Sequence, residues 1–525
     1  MSEIGKEVNI IEEELMALNA KISSPANATE PSRPDGITGQ LCNWITRTEL
    51  SDIPDHVIER AKYLILDGVA CALIAAHLPW SETAVKGVCT MEPSGVGQCT
   101  LIGWGREKKL PPVAATILNS TFIQGFELDD YHSAAPLHSN ALLIPALLAS
   151  VEAVPSSSAA SNGHDPSISS GANFLLAYIV GCEVGPRVGL ALHGADLLSR
   201  GWHSGAIQGP SATAAAVASL LRLSGAQTEW ALGMACTQTG GLMSAQFGSM
   251  AKRMQHGFAA RNGLFAALMA KENYTGIQEV YEVPYGGFLS CFSQGANFEP
   301  KAFPKELVNS LGSRWELEGI RVKLHAAMAG LHGTIDTVAG LQRSHPDLFA
   351  PHNLTNIVSI VTEHARPTFE HGGWIADPTQ PLSSVAAQMS IQYATAAQLV
   401  DRQVSMAQFG MLRLNRPLLR ELMGKTTPTH NKAFDATKAA RWQTVVTVRF
   451  ADGTEVQGRV EAPRGIVPPV SNEDIITKWR ELTAEILDSE RRDAIERCVL
   501  SLEQVPDVRE LAALLEQPVK CPIDV

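Results

Sequence analysis

The sequence predicts a mainly α protein, a large helical domain followed by a smaller α+β domain. Three observations carry that reading. The chain has 525 residues, more than one ordinary compact core accommodates, so two domains are expected. Residues 36–298 are rich in Ala, Leu and Gly, with apolar residues at helical spacing. Near residue 298 β-rich runs begin, and Asp452-Gly453 between two alternating segments is the strongest hairpin signal in the chain.

In order along the chain, residues 1–35 start acidic (Glu3, Glu7, Glu12, Glu13, Glu14) and become rich in Ser, Pro and Asn. They read as a mobile tail without a secretory or mitochondrial pattern, so a cytoplasmic location is expected. Residues 52–72 carry Ile53, Val57, Ile58, Ala61, Leu64 and Ile65 on one helical face. Apolar runs at 113–123 and 141–149 read as core helices, and 155–171 as a surface loop. Residues 212–221 are small and apolar on nearly every face, the mark of a buried helix. No apolar run reaches the ~18 residues of a membrane span. The α+β domain covers 299–463, with strands at 317–324, 356–362, 445–450 and 454–460 and helices at 331–343 and 383–409. Residues 464–525 hold helices at 472–487, 491–503 and 508–516. Each has one apolar face, and all three are expected to return to the first domain.

Net charge is −12, which argues against a nucleic-acid partner but not against an anionic small substrate in a local cationic pocket. Nine widely spaced Cys without a CxxC suit reduced thiols rather than disulfides or a zinc site. No Gly-rich dinucleotide loop, P-loop or HExxH occurs, so no cofactor is expected. His132 and His138 with Asp129 and Asp130 have the ligand types for a metal, but their spacing matches no ligand pattern and no metal is assigned.

The segment Glu127-Leu-Asp-Asp-Tyr-His-Ser-Ala-Ala-Pro-Leu-His138 packs three carboxylates, a phenol and two imidazoles between two apolar runs. Such groups are costly to bury unpaired, and they titrate where proton transfer near neutral pH needs them. Three more segments join it. Gly201-Trp-His-Ser-Gly holds a glycine-flanked His203. Residues 249–263 gather Lys252, Arg253, His256 and Arg261. Arg321-Val-Lys-Leu-His leads to Lys323 and, further on, His332. Cations suit a polycarboxylate substrate, and histidines with an acid suit proton transfer.

The ordered motifs ELDDYH…HS, GWH, SAQFGSMxKRxQHGFAARNG and IRVKLH…LHG resemble the MmgE/PrpD family from about residue 35 to the C-terminus. That family includes 2-methylcitrate dehydratases and cis-aconitate decarboxylases. Ala61-Lys-Tyr-Leu-Ile-Leu-Asp-Gly and Pro79-Trp-Ser-Glu place the likeness nearest its fungal decarboxylases. The resemblance implies a helical domain with a smaller lid, a homodimer, an active site in the cleft between them, and no cofactor. It implies a lyase on a citrate-derived tricarboxylate, preferably decarboxylating cis-aconitate to itaconate. A 2-alkylcitrate or 2-methylcitrate dehydratase and a non-catalytic tricarboxylate-binding member stay open. Carried over by motif, the catalytic positions fall on Asp129, Asp130, His138, His203 and Lys252. Lys323, Arg253, His132, His256 and His332 are expected to bind substrate. Two departures stand out. Met328 replaces a histidine found in the animal decarboxylases, leaving His325 or His332 as nearby proton donors. Residues 362–371 differ from the fungal pattern and are expected to reshape the pocket.

Overall fold

The computed structural model describes residues 28–93, 95–153, 166–437 and 439–523. Numbering the longer helices, the helical part comprises α1 (Ile37–Arg47), α2 (Asp55–Ala75), α3 (Pro79–Met91), α4 (Pro112–Ile123), α5 (Ser139–Ala153), α6 (Gly171–Ala191), α7 (Ser204–Leu220), α8 (Gly225–Cys236) and α9 (Ala251–Lys271). Every residue of α7 is buried, as its all-round small apolar sequence predicts, and it packs against α5, α6, α8 and α9. The apolar helix α6 is long and apolar enough to cross a membrane, a length the sequence reading did not credit. Its apolar window is 94% buried inside the protein, so it serves as a core helix.

The α+β part contains α10 (His332–Ser344), α11 (Arg366–Gly372), α12 (Ile391–Asp401) and α13 (Pro417–Lys425). Its sheet has the order β4 (Thr426–His430), β3 (Ile357–His364), β5 (Thr444–Phe450), β6 (Glu455–Val460). The β5–β6 hairpin turns at Asp452-Gly453, with Gly453 at φ +89°, the left-handed conformation that glycine adopts without strain. Strand β5 buries Val446 and Val448 toward α10 and exposes Arg449. Helix α10 approaches the sheet so closely that a Cβ on Gly458 would meet Leu341 and Thr337 at 2.9 Å.

The last helices, α14 (Asn472–Thr483), α15 (Ser489–Leu500) and α16 (Arg509–Glu516), return to the helical part, α14 and α15 against α2 and α16 against α5. The seam is charged as well as apolar. Lys478 Nζ lies 2.6 Å from Asp67 Oδ1 of α2 and donates to Leu128 O at 2.6 Å, beside the fully buried Trp479. A short antiparallel pair, β1 (Tyr131–His132) with β2 (Ile320–Arg321), joins the acidic motif to the segment that carries Lys323.

Several expectations need correction. The proposed tail lies outside the described residues as far as 27. Residues 28–35 are pinned rather than loose: Ser32 donates to Glu229 from its amide at 2.8 Å and its hydroxyl at 2.7 Å. Most of the 155–171 loop also lies outside the described residues. The strand at 317–324 shrinks to two residues, because the chain turns inward at Lys323 to meet buried carboxylates. The helix at 383–409 breaks into Ser384–Gln388, Ile391–Asp401 and Met406–Phe409. Ser383 and Ser390 accept from the amides of Ala386 and Tyr393 and restart the chain as N-caps.

Candidate active site

The seam between the two parts encloses a cavity of about 170 Å³. The acidic motif enters it from the end of α4. Glu127 sits at φ 56°, left-handed backbone that a non-glycine residue adopts only under constraint. The constraint is ionic: Glu127 is buried and bridges Lys252 of α9 and Lys323, the latter at 3.0 Å. Lys323 also reaches Asp129 at 3.5 Å. Asp129 is fully buried and accepts from His138 Nδ1 at 2.7 Å and from the Gln124 amide at 3.1 Å. Gln124 in turn accepts from Lys252 at 3.1 Å. Burial alone raises a carboxyl pKa, but the charges of His138 and Lys323 outweigh it and hold Asp129 well below the ordinary range. Because Nδ1 of His138 is committed to Asp129, Nε2 is its free ring nitrogen, and the ring lines the cavity.

His203 also lines the cavity. Its Nδ1 accepts from the Ala206 amide at 3.2 Å, capping α7, so its neutral form carries the proton on Nε2. Burial, then the nearby His138 charge, lowers its pKa to about 3. His256 is wedged between the two, with ring centroids 4.7 Å from His138 and 4.8 Å from His203. Glycine at 205 makes room for it: a Cβ there would lie 2.1 Å from His256 Nε2.

The cavity thus gathers His138, His203, Lys252 and Lys323, with Asp129 directly behind His138. It does not gather all the expected residues. Asp130 points into the protein and accepts from the amides of Ser139 (2.8 Å) and Asn140 (3.0 Å), capping α5. Burial and then the neighbouring Asp129 raise its pKa to about 7. Arg253 is a clamp on the core: it donates to Gly125 O and to Gln388 Oε1 (2.6 Å), with Trp80 stacked 4.2 Å away. His132 is locked under β1, accepting from the Ala135 amide at 3.0 Å, with Glu316 at 3.4 Å. His256 stands behind the two cavity histidines, and His332 contacts Ala327 O at 3.3 Å, away from the cavity wall. His325 faces Asp336 at 3.2 Å instead. None of these six residues lines the cavity.

Other lining residues were missed. Glu127 lay inside the quoted motif but was not singled out. Tyr131 shares that motif, Gln246 lies in the quoted SAQFGSM segment without having been singled out, and Arg441 and Trp442 sit in a segment of ordinary composition. The two departures from the family pattern do line the cavity, through Met328 and through Pro367, Thr368 and His371. Among the described residues no group of three His, Cys, Asp or Glu is placed to hold a metal ion.

These buried groups give stability a defined pH dependence. Burial holds His203 and His364 near 3 and lowers His256, His332 and His371 in the same direction. A histidine held below its unfolded value of 6.5 contributes fully above that pH and loses its contribution as pH falls. The depressed Asp129 and Glu316 also lose theirs in acid. Asp130 and Glu183, raised to about 7, and Asp67, raised by burial, work the other way, since their native forms hold protons that the unfolded chain has released. The first set is larger. Tm is therefore expected to fall as pH is lowered from ~6.5 to ~4.5, and a Tm series in matched-ionic-strength buffers checks it. A rise through that window would contradict the assignment.

Comparison with known proteins agrees with this architecture. Residues 39–301 match the model for the MmgE/PrpD N-terminal domain, and residues 325–504 the model for its C-terminal domain. The chain is 49% identical over 485 residues to a cis-aconitate decarboxylase-like protein of Aspergillus oryzae, covering 92% of this chain and 98% of that one. It is 44% identical over 498 residues to a cis-aconitate decarboxylase of Aspergillus terreus, covering 94% and 99%. It is 25% identical over 495 residues to the cis-aconitate decarboxylase of Homo sapiens, covering 92% and 95%. Two matched domains on either side of one histidine- and lysine-lined cavity, with relatives aligned over nearly the whole length, place the chain in the MmgE/PrpD family.

Proposed function

We propose that the chain is a lyase that decarboxylates cis-aconitate to itaconate with its own side chains alone. The observation that carries the reading is the Asp129–His138 pair facing the same cavity as Lys252 and Lys323. In the reaction the bond between the substrate methylene and its carboxylate breaks. CO2 leaves, the electron pair enters the allylic system, and the double bond shifts to a terminal CH2. One proton then adds at the far carbon. Lys252 and Lys323 hold substrate carboxylates and offset the charge that develops as CO2 departs. For this they exchange Glu127 for substrate, at least in part, since Glu127 engages both in the free protein. His138 is the proton donor, because Asp129 holds its Nδ1 and orients the ring that lines the cavity. His203, kept neutral by burial, offers Nε2–H as a hydrogen-bond donor rather than as an acid.

A second reading is favoured by the apolar part of the lining, which includes Met328, Met389, Met243 and Leu198. Such a wall suits an alkyl substituent, and with it dehydration of a 2-alkylcitrate or 2-methylcitrate, with the same residues acting as base and acid. The family likeness supports a homodimer. The exposed Leu242, Phe247, Met250, Phe258 and Phe265 on and before α9 are a fitting face for it. A cytoplasmic location, with neither membrane nor nucleic-acid partners, fits the acidic charge and the burial of α6.

The test is direct. Purified protein is incubated with cis-aconitate and, separately, with 2-methylcitrate and a long-chain alkylcitrate, and CO2 and organic products are followed by mass spectrometry. Itaconate with stoichiometric CO2, undiminished after exhaustive chelation, is expected. Water loss from an alkylcitrate without itaconate would select the dehydratase, and binding of all three without turnover would select a non-catalytic member.

A further inference from the structure

The cavity has a second polar end. Three cations line it, and two of them, Lys252 and Lys323, are already faced by Glu127. The third, Arg441, enters from the α+β part on the short turn Ala440–Trp442. One of its amino groups donates to Ser133 O, tying the turn to the acidic motif across the seam. Its buried Nε has no hydrogen-bond partner, and among the described residues no carboxylate pairs with it. Beside it is Tyr131, 5% exposed, whose hydroxyl is likewise buried without a partner. Burial raises the Tyr131 phenol and lowers the Arg441 guanidinium, with smaller opposing contributions from Arg321 and Arg441 on the phenol and from Tyr131 on the guanidinium, and the ring of Trp442 lies 6.3 Å from that of Tyr131. Both line the cavity.

Unpartnered buried donors are rare because each has given up water without return. Here a guanidinium N–H and a phenol O–H are left unpartnered in the wall of a cavity whose other two cations are already faced by Glu127. A carboxylate satisfies both at once. The guanidinium offers it a planar set of donors, and the phenol donates a further bond. We propose that Tyr131 and Arg441 form a second carboxylate subsite, which holds the terminal substrate carboxylate that Lys252 and Lys323 leave unheld and so selects tricarboxylates over dicarboxylates. The subsite rests on the proposed tricarboxylate reading of the cavity and adds to it which residues count the carboxylates. Because Arg441 also holds Ser133, the same contact draws the α+β part onto the helical part when the substrate is in place.

The experiment compares propane-1,2,3-tricarboxylate (tricarballylate) with methylsuccinate, which has the same carbon chain but lacks one terminal carboxylate. Both are measured by calorimetry on the full-length protein and as inhibitors of cis-aconitate turnover. The wild type is expected to bind tricarballylate at least ~10-fold more tightly than methylsuccinate, the scale of hydrogen bonds to a charged group. In Arg441→Gln that preference should collapse to within ~3-fold, and KM for cis-aconitate should rise ~10–100-fold with a much smaller change in kcat. Tyr131→Phe removes only the hydroxyl and should lower the preference part of the way, so it decides the matter even if Arg441→Gln disturbs the fold. Unchanged preference and KM in both variants would overturn the subsite. If the wild type fails to make itaconate, the reaction assigned above falls, while the two binding ratios still report on the subsite.

Discussion

His138→Gln is expected to lower kcat by about 10²–10⁴-fold, the range for loss of a positioned general acid, or roughly 2.7–5.5 kcal/mol of barrier. The reasoning is geometric. His138 is the one cavity histidine whose second nitrogen is held by a buried carboxylate, at 2.7 Å. Its ring is therefore the oriented one, whereas burial pushes His203 toward neutrality at about 3. Glutamine keeps a polar group against Asp129, so Tm should change little. His203→Gln should behave differently: losing the α7 cap costs ~0.5–2 kcal/mol of stability, and the activity loss should be the smaller of the two. Steady-state kinetics with Tm for both variants makes the comparison. A larger kcat loss at His203 than at His138 would reverse the two roles.

Lys323→Met should destabilise the protein by about 3–5 kcal/mol and abolish turnover. Lys323 is 1% exposed and faces two buried carboxylates, Glu127 at 3.0 Å and Asp129 at 3.5 Å. Removing it leaves Glu127 with Lys252 alone and Asp129 with His138 alone. An uncompensated buried charge costs far more than a surface pair contributes. Urea denaturation of the variant measures the loss. A change below ~1 kcal/mol would mean that these carboxylates draw little stability from the ammonium. The activity loss has a separate cause, the absence of a cation where CO2 departs, so it should persist in solutes that restore stability.

Much of this was legible in the sequence, and the failures have physical causes. The helical part, the β5–β6 hairpin and the returning C-terminal helices follow from periodicity and from Asp452-Gly453. Strand β4 was missed because Thr426-Thr-Pro-Thr-His430 contains a proline, and only its place at the sheet edge tolerates it. His138, His203, Lys252 and Lys323, each in a motif dense with ionisable groups, line the cavity. Asp130, His132, Arg253, His256 and His332 share those motifs, but their side chains stand off its wall, as caps, clamps or wedges. Residue type and spacing do not distinguish a histidine facing a cavity from one facing a helix dipole or a neighbouring ring. Arg441 escaped for the opposite reason: nothing near it in sequence is unusual, and its meaning arises only where its turn meets Tyr131.

The return of the last helices to α2 bears on how the chain is made. Lys478 reaches Leu128, 350 residues earlier, right beside Asp129. At ~5–20 residues per second a ribosome takes roughly 20–70 s to span that interval. Through that time the first-made half holds the acidic motif and an apolar groove on α2 that only Trp479 and its neighbours will fill. A nascent chain in that state cannot finish its own active site. A message truncated after the sheet would leave that groove on α2 uncovered.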